Sequence, residues 1–192
     1  WVANFTSATL SKVDPTTNTV VATVPVPDQP QNVVFDGTSI WGSNNVDGTV
    51  SKIDPTTDAV VATVSVGSGP NGMAFDGASV WVAERCGESR PPSRVDPTQP
   101  FGCDGSKLDP VLKFDPSGKL LRSFGAGLLL FPHGIHVDRD GSTWVVDGLG
   151  RNGKGHQVWK FSPDGKVLMT LGKAGAPGSG NDEFNAPSAV VT

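Results

Sequence analysis

An internal repeat constrains this chain more than any other feature. LSKVDPTTNTVVATVPV (Leu10 to Val26) returns as VSKIDPTTDAVVATVSV (Val50 to Val66), shifted by 40 residues at every matched position. VVFDGTSIW (Val33 to Trp41) returns at the same shift as MAFDGASVW (Met73 to Trp81), and Trp1 precedes Trp41 by the same interval. A period near 40 carrying four short strand patterns and their turns is the signature of a propeller blade.

The second half keeps the unit in other words. VLKFDPSGKLLRSFG (Val111 to Gly125) and VWKFSPDGKVLMTLG (Val158 to Gly172) each read as two strands joined by a turn built on Asp-Pro-Ser-Gly or Pro-Asp-Gly. Phe131 to Lys160 holds most of one blade, with a strand pattern at Gly134 to Val137, a DG turn, a second strand at Thr143 to Val146, a Gly-rich loop and a third strand at Gln157 to Phe161. Trp81 and Trp144 are 63 apart rather than 40, so an extra loop, roughly Arg85 to Asp109, is inserted in the third blade. Long loops on compact scaffolds tend to face partners or ligands.

The expected fold is therefore all-β, a propeller of four-stranded antiparallel blades forming one domain over residues 1–192. Its blades run approximately 1–26 with 185–192, 30–66, 70–125 with the insertion at 85–109, and 132–172. Naming strands A to D from the centre outward, the chain reads BCD, three full sets, then a lone A strand at Ser188 to Thr192, sixteen in all. Four blades' worth of strands allows a closed ring, completed by that last strand beside the first set, or part of a larger, for example six-bladed, ring. An open edge also allows self-assembly through strands shared between subunits.

Gly (24) and Pro (16) are abundant, as many short strands require, and the formal charge of −4 with scattered basic residues excludes a nucleic-acid footprint. No apolar run reaches the length of a membrane helix. The chain starts at Trp1 without a methionine, as a processed chain, a recombinant segment or a fragment would. Cys86 and Cys103 share the irregular insertion, which favours a disulfide over two buried thiols and an oxidising, secreted, extracellular or periplasmic location of bacterial type.

VDPTTNTVVATVPV and the FDGxSxW strands resemble the YVTN-type and virginiamycin B lyase-type propellers. DPVLKFDPSGKLLRSFG, FPHGIHVDRDGSTWVVDG, GHQVWKFSPDGKVLMTLGKAG and FNAPSAVV resemble the NHL-repeat propellers, among them bacterial relatives of peptidyl-α-hydroxyglycine α-amidating lyase. In that family the PH at the start of an inner strand gives an imidazole to a central metal together with histidines of other blades. The resemblance implies that role for His133, while the matching positions here are Gln31, Asn71 and Ser188, none of them histidine.

Strand phase places the starts of inner strands on the face where second strands finish. Gln31, Asn71, His133 and Ser188 should then share a mouth with Asn4, Asn44, Glu84 and Asp147, and with Arg85, which can neutralise Glu84. Such a polar ring suits an oxygen-rich ligand or a divalent cation such as zinc or calcium, with His133 as the metal ligand. His133 with Glu84 or Asp147 is the candidate catalytic set. His136 lies three residues on, facing away and packed between blades; His156 sits in the GRNGKGH loop, whose mobility argues against a preorganised role. The register-matched tryptophans read as inter-blade packing before they read as a carbohydrate platform. Asn4-Phe5-Thr6 is a formal glycosylation sequon.

Three functions follow as expectations. The first is a secreted propeller binding a small molecule, peptide or protein at its mouth. The others are a metal-assisted lyase and an extracellular assembly protein with blades completed between subunits.

Overall fold

The computed structural model describes residues 1–87 and 101–192, which contain fifteen strands and no helix. They form four antiparallel sheets. The first holds β1 (Val2–Asn4), β2 (Thr9–Asp14) and β3 (Thr19–Pro25); the second β4 (Pro30–Phe35), β5 (Ile40–Asn44), β6 (Thr49–Asp54) and β7 (Ala59–Ser65). The third holds β8 (Pro70–Phe75), β9 (Val80–Glu84), β10 (Val111–Phe114) and β11 (Leu120–Phe124). The fourth holds β12 (Pro132–Val137), β13 (Thr143–Asp147), β14 (Gln157–Phe161) and β15 (Val167–Leu171). Every sheet runs in sequence order as an up-and-down meander, and the inner strands β4, β8 and β12 pack side by side. These are propeller blades.

Three apolar clusters lie between successive blades. Leu10 and Val24 of the first meet Ile40 and Ile53 of the second, Trp41 and Val50 meet Met73, Val80 and Leu112, and Trp81 and Phe124 meet Ile135, Val145 and Phe161. Trp41 and Trp81 are each 1% exposed, so their register-matched position is a packing position. The aspartate that opens the turn after each inner strand also supplies an acceptor. Trp41 Nε1 donates to Asp36 at 2.7 Å, Trp81 Nε1 to Asp76 at 2.8 Å and Trp144 Nε1 to Asp138 at 3.0 Å. A lysine from the third strand lies over each indole, Lys52, Lys113 and Lys160 at 5.1, 4.7 and 4.9 Å from the ring centre. The indole is thus buried on its apolar body and satisfied at its only donor.

The last expected strand does not form. Ser188 to Thr192 carries no ladder, the first sheet has three strands, and β1 is hydrogen-bonded to β2 alone. The segment nevertheless follows the glycine stacking of the inner strands. A Cβ on Gly72 of β8 would meet the His133 carbonyl of β12 at 2.3 Å, and one on Gly134 of β12 would meet the Ser188 carbonyl at 2.5 Å. Backbone therefore lies on backbone at each step, and Ser188–Ala189 lies against β12 as β12 lies against β8.

Cys86 and Cys103 are joined in a disulfide. The insertion's return then docks inward: the Cys103 N–H donates to the Leu130 carbonyl at 2.7 Å, and Phe101 stacks on Phe131 with centroids 5.1 Å apart. The remainder of the expected insertion, 88–100, lies outside the described residues.

Candidate functional site

The register fixes the mouth. Pro30 pairs with Asn44, Pro70 with Glu84 and Pro132 with Asp147, so inner-strand starts and second-strand ends do share one edge in three blades. Within that edge the expected residues separate into a convergent group and a structural group.

His133, Asn71 and Arg85 converge. In the amide orientation that satisfies both neighbours, Asn71 Oδ1 accepts from an Arg85 Nη at 2.8 Å and its Nδ2 donates to the His133 carbonyl at 3.3 Å. Arg85 is 6% exposed, its guanidinium lies 4.0 Å over the Phe131 ring, and burial pulls its pKa down to about 10. His133 Nδ1 lies 3.0 Å from the Ser188 carbonyl, which can only accept, so that nitrogen carries the proton and Nε2 keeps its lone pair. Burial, and then the Arg85 charge, lower the imidazole's pKa; the Ser188 bond opposes them. His133 is therefore a neutral base at neutral pH.

Glu84 follows a different course from the expected neutralisation by Arg85: among the described residues no ion pair joins these two neighbours. It is 3% exposed, its Oε2 has no hydrogen-bond partner among the described residues, and burial pushes the carboxyl up to about 8. It packs on Gly67, where a Cβ would fall 1.8 Å from Oε2. Glu84 is accordingly protonated at neutral pH, a donor rather than a carboxylate.

The remaining positions are structural. Asn44 Nδ2 donates to Thr49 Oγ1 (3.0 Å) and Ser51 Oγ (2.9 Å), and Asn4 repeats this with Thr9 and Ser11 at 3.0 and 2.8 Å. That use of its amide nitrogen also occupies the atom a glycan on the Asn4 sequon would need. Asp147 is fully buried; its carboxylate accepts the N–H groups of Leu130 and Phe131, which fix the path of the chain into β12, while burial outweighs those bonds and raises its pKa to about 6. Gln31 is half-buried at the start of β4, and Ser188 is exposed, contributing its backbone rather than its hydroxyl.

The other histidines divide as well. His136 is half-buried and lines an open cavity of about 570 Å³ with Val137, Asp138, Arg139, Asp140 and Thr192. His156 departs from the expected loop position: it is 7% exposed, and its Nδ1 accepts the Ala186 N–H at 3.2 Å, tying the C-terminal segment to the fourth blade. Sequence reasoning missed Ser43, whose hydroxyl donates to the Asn71 carbonyl at 3.1 Å, and the Phe101–Phe131 stack under Arg85. The glycines facing each other across inner strands, Gly72 and Gly134, were a legible signal for the close approach that sets this geometry.

Among the described residues no three of His, Cys, Asp and Glu converge as a metal cluster. With one imidazole and a protonated Glu84, these residues alone do not fit a zinc or calcium cage.

No family model matches the chain. It is 38% identical over 86 residues to the rat peptidylglycine alpha-amidating monooxygenase, which is 43% of this chain and 8% of that protein. It is 38% identical over 85 residues to peptidyl-alpha-hydroxyglycine alpha-amidating lyase 1 of Drosophila melanogaster, 42% of this chain and 15% of the relative. The probable lyase of Caenorhabditis elegans matches at 38% over 74 residues, 38% of this chain and 20% of the relative. The chain thus spans a fifth or less of the length of these relatives. Among solved structures, the hydrazine synthase of Kuenenia stuttgartiensis superposes with a TM-score of 0.64 at 20% identity, covering 87% of this chain and 44% of that one. A functionally unknown protein from Desulfotomaculum acetoxidans does so at 0.59 and 16%, covering 92% and 52%. Both likenesses concern the fold alone.

Proposed function

We propose that this chain is a propeller module that binds a small, peptide-like ligand at the mouth formed by His133, Asn71, Arg85 and Glu84. One observation carries the reading: the Ser188 carbonyl fixes the His133 tautomer, so that a neutral imidazole offers its Nε2 lone pair to a ligand donor. Glu84, protonated on the neighbouring blade, supplies the complementary donor. Neutral acceptor and neutral donor suit hydroxyl and amide groups. The disulfide supports placing the chain in an oxidising, extracytoplasmic compartment.

A second reading is favoured by the relatives, several of which are amidating lyases by name; the likeness of the first half to virginiamycin B lyase-type propellers belongs to this reading too. In it, His133 Nε2 takes the hydroxyl proton of a peptidyl-α-hydroxyglycine. The carbon–nitrogen bond breaks as the aldehyde forms, and Glu84 returns a proton to the departing amide nitrogen, giving peptide amide and glyoxylate. Both readings are tested by titrating the protein with a peptide ending in α-hydroxyglycine, following heat and aldehyde together. Binding without glyoxylate is the expected result. Glyoxylate release establishes the lyase, and neither binding nor release overturns both.

A further inference from the structure

We propose that Asn152–Gly153 is a site of spontaneous deamidation whose reaction breaks the side-chain link between the fourth-blade loop and the turn that follows Cys103. The chain holds two Asn-Gly pairs, and the fold treats them in opposite ways. Asn71 is 4% exposed in β8, both ends of its amide are held, by Arg85 and the His133 carbonyl, and Gly72 is pressed against β12. Asn152 and Gly153 form the tip of an exposed turn closed by the Arg151–Lys154 bridge, at φ +52° and +75°.

The chemistry needs only the chain and water. The Gly153 nitrogen attacks the Asn152 side-chain carbonyl carbon, and ammonia leaves with the amide nitrogen's proton. A succinimide remains. Water then opens either carbonyl, giving aspartate or isoaspartate. Glycine at 153 puts no side chain in the path of the attacking nitrogen, whereas at Asn71 the amide cannot turn toward Gly72 without breaking two hydrogen bonds.

Position gives the reaction a consequence. Asn152 Nδ2 donates to Asp104 Oδ2 at 2.8 Å, joining the blade-four loop to the insertion one residue past Cys103. Replacing that donor by a carboxylate sets two like charges face to face. The isoaspartyl product also lengthens the turn backbone where Gly175 packs on it, a Cβ at 175 falling 2.7 Å from Gly153 Cα.

The test is to age the intact protein at mildly alkaline pH and map both sites by peptide mass spectrometry, folded and denatured. Asn152 should convert at least about tenfold faster than Asn71 in the folded protein, with the two rates converging on denaturation. Equal rates in the folded state overturn the site. The latch has a separate readout, hydrogen exchange at the Asp104 and Ser106 amides, which bond within the 101–106 turn. Asn152→Asp should speed it and adding Asp104→Asn should restore it; unchanged exchange in Asn152→Asp overturns the latch.

Discussion

The second and third blades begin alike and end differently. At the end remote from the mouth, Asp36, Trp41 and Lys52 make the same indole hydrogen bond and lysine–indole contact as Asp76, Trp81 and Lys113. At the mouth, Asn44 closes onto the hydroxyls of Thr49 and Ser51, while Glu84 occupies the equivalent place opposite Pro110 and Leu112, which offer no hydroxyl. Half of each blade is scaffold, held constant because the next blade packs on it. The other half varies: where the second blade buries an amide with one oxygen unpaired, the third buries a carboxyl whose Oε2 has no partner among the described residues. A buried polar group without a partner costs about 1–3 kcal/mol, so its presence marks a position shaped by something other than stability.

The shared half should break hardest. Trp41→Ala and Trp81→Ala are each expected to lower unfolding free energy by roughly 3–5 kcal/mol, measured by denaturant titration, because each empties a fully buried inter-blade site and orphans an aspartate. A loss of ligand binding at unchanged stability would return the tryptophans to the role of a binding platform.

Next comes the part only the third blade has. Reducing Cys86–Cys103, or replacing both by serine, should cost about 3 kcal/mol on the chain-entropy account of a loop of this length, with the loss visible as a lower midpoint in denaturant. Two free thiols in the denatured, unreduced protein would show that the insertion is held by its docking contacts alone.

Glu84 sharpens the comparison through pH. Its folded pKa, about 8, stands above the ordinary 4.5, so the native state keeps a proton that the unfolded state has lost across that window. Stability therefore falls as pH rises from 4.5 and levels off above about 8. Asp147 contributes the same sign only up to about 6, and the lowered imidazole pKa values of His133 and His156 contribute the opposite sign through the histidine range, so the slope between about 7 and 8 isolates Glu84. Glu84→Gln should flatten that slope and stabilise the protein by on the order of 2 kcal/mol at the top of the window. A slope that survives the substitution assigns the titration elsewhere.

What could be read from the sequence divides along the same line. The 40-residue repeat identified strands, turns, blade order and the packing role of the tryptophans, because those features recur and each recurrence is an independent reading. Strand phase also placed Gln31, Asn71 and His133 on the edge shared with Asn44, Glu84 and Asp147. It could not say which of them are tied down. The partners that occupy Asp147 are backbone N–H groups of 130 and 131, which no side-chain pattern announces, and the burial that sets the state of Glu84 is equally silent in the sequence. Strand counting finds the residues left for a further strand at 188–192 but not whether they form a ladder, and in the structure they lie against β12 at Gly134 without one.

The smallest expected effect is the most specific. His133→Ala removes a partly exposed side chain whose only described hydrogen bond is to the Ser188 carbonyl, so unfolding free energy should stay within about 0.5 kcal/mol of the parent protein. Affinity for the α-hydroxyglycine peptide should fall at least tenfold, about 1.4 kcal/mol, because the Nε2 acceptor is lost while Asn71 and Arg85 keep each other in place. His136→Ala, on the side facing Asp138 and Arg139, should leave affinity unchanged. The imidazole adds its own check: its lowered pKa means that acid must charge it against burial and against Arg85, so binding should weaken as pH falls through the histidine range in the parent and lose that dependence in His133→Ala. Should His136→Ala abolish binding instead, the working face lies at the open cavity beside Asp140, and the mouth is scaffold in the third and fourth blades as it is in the second.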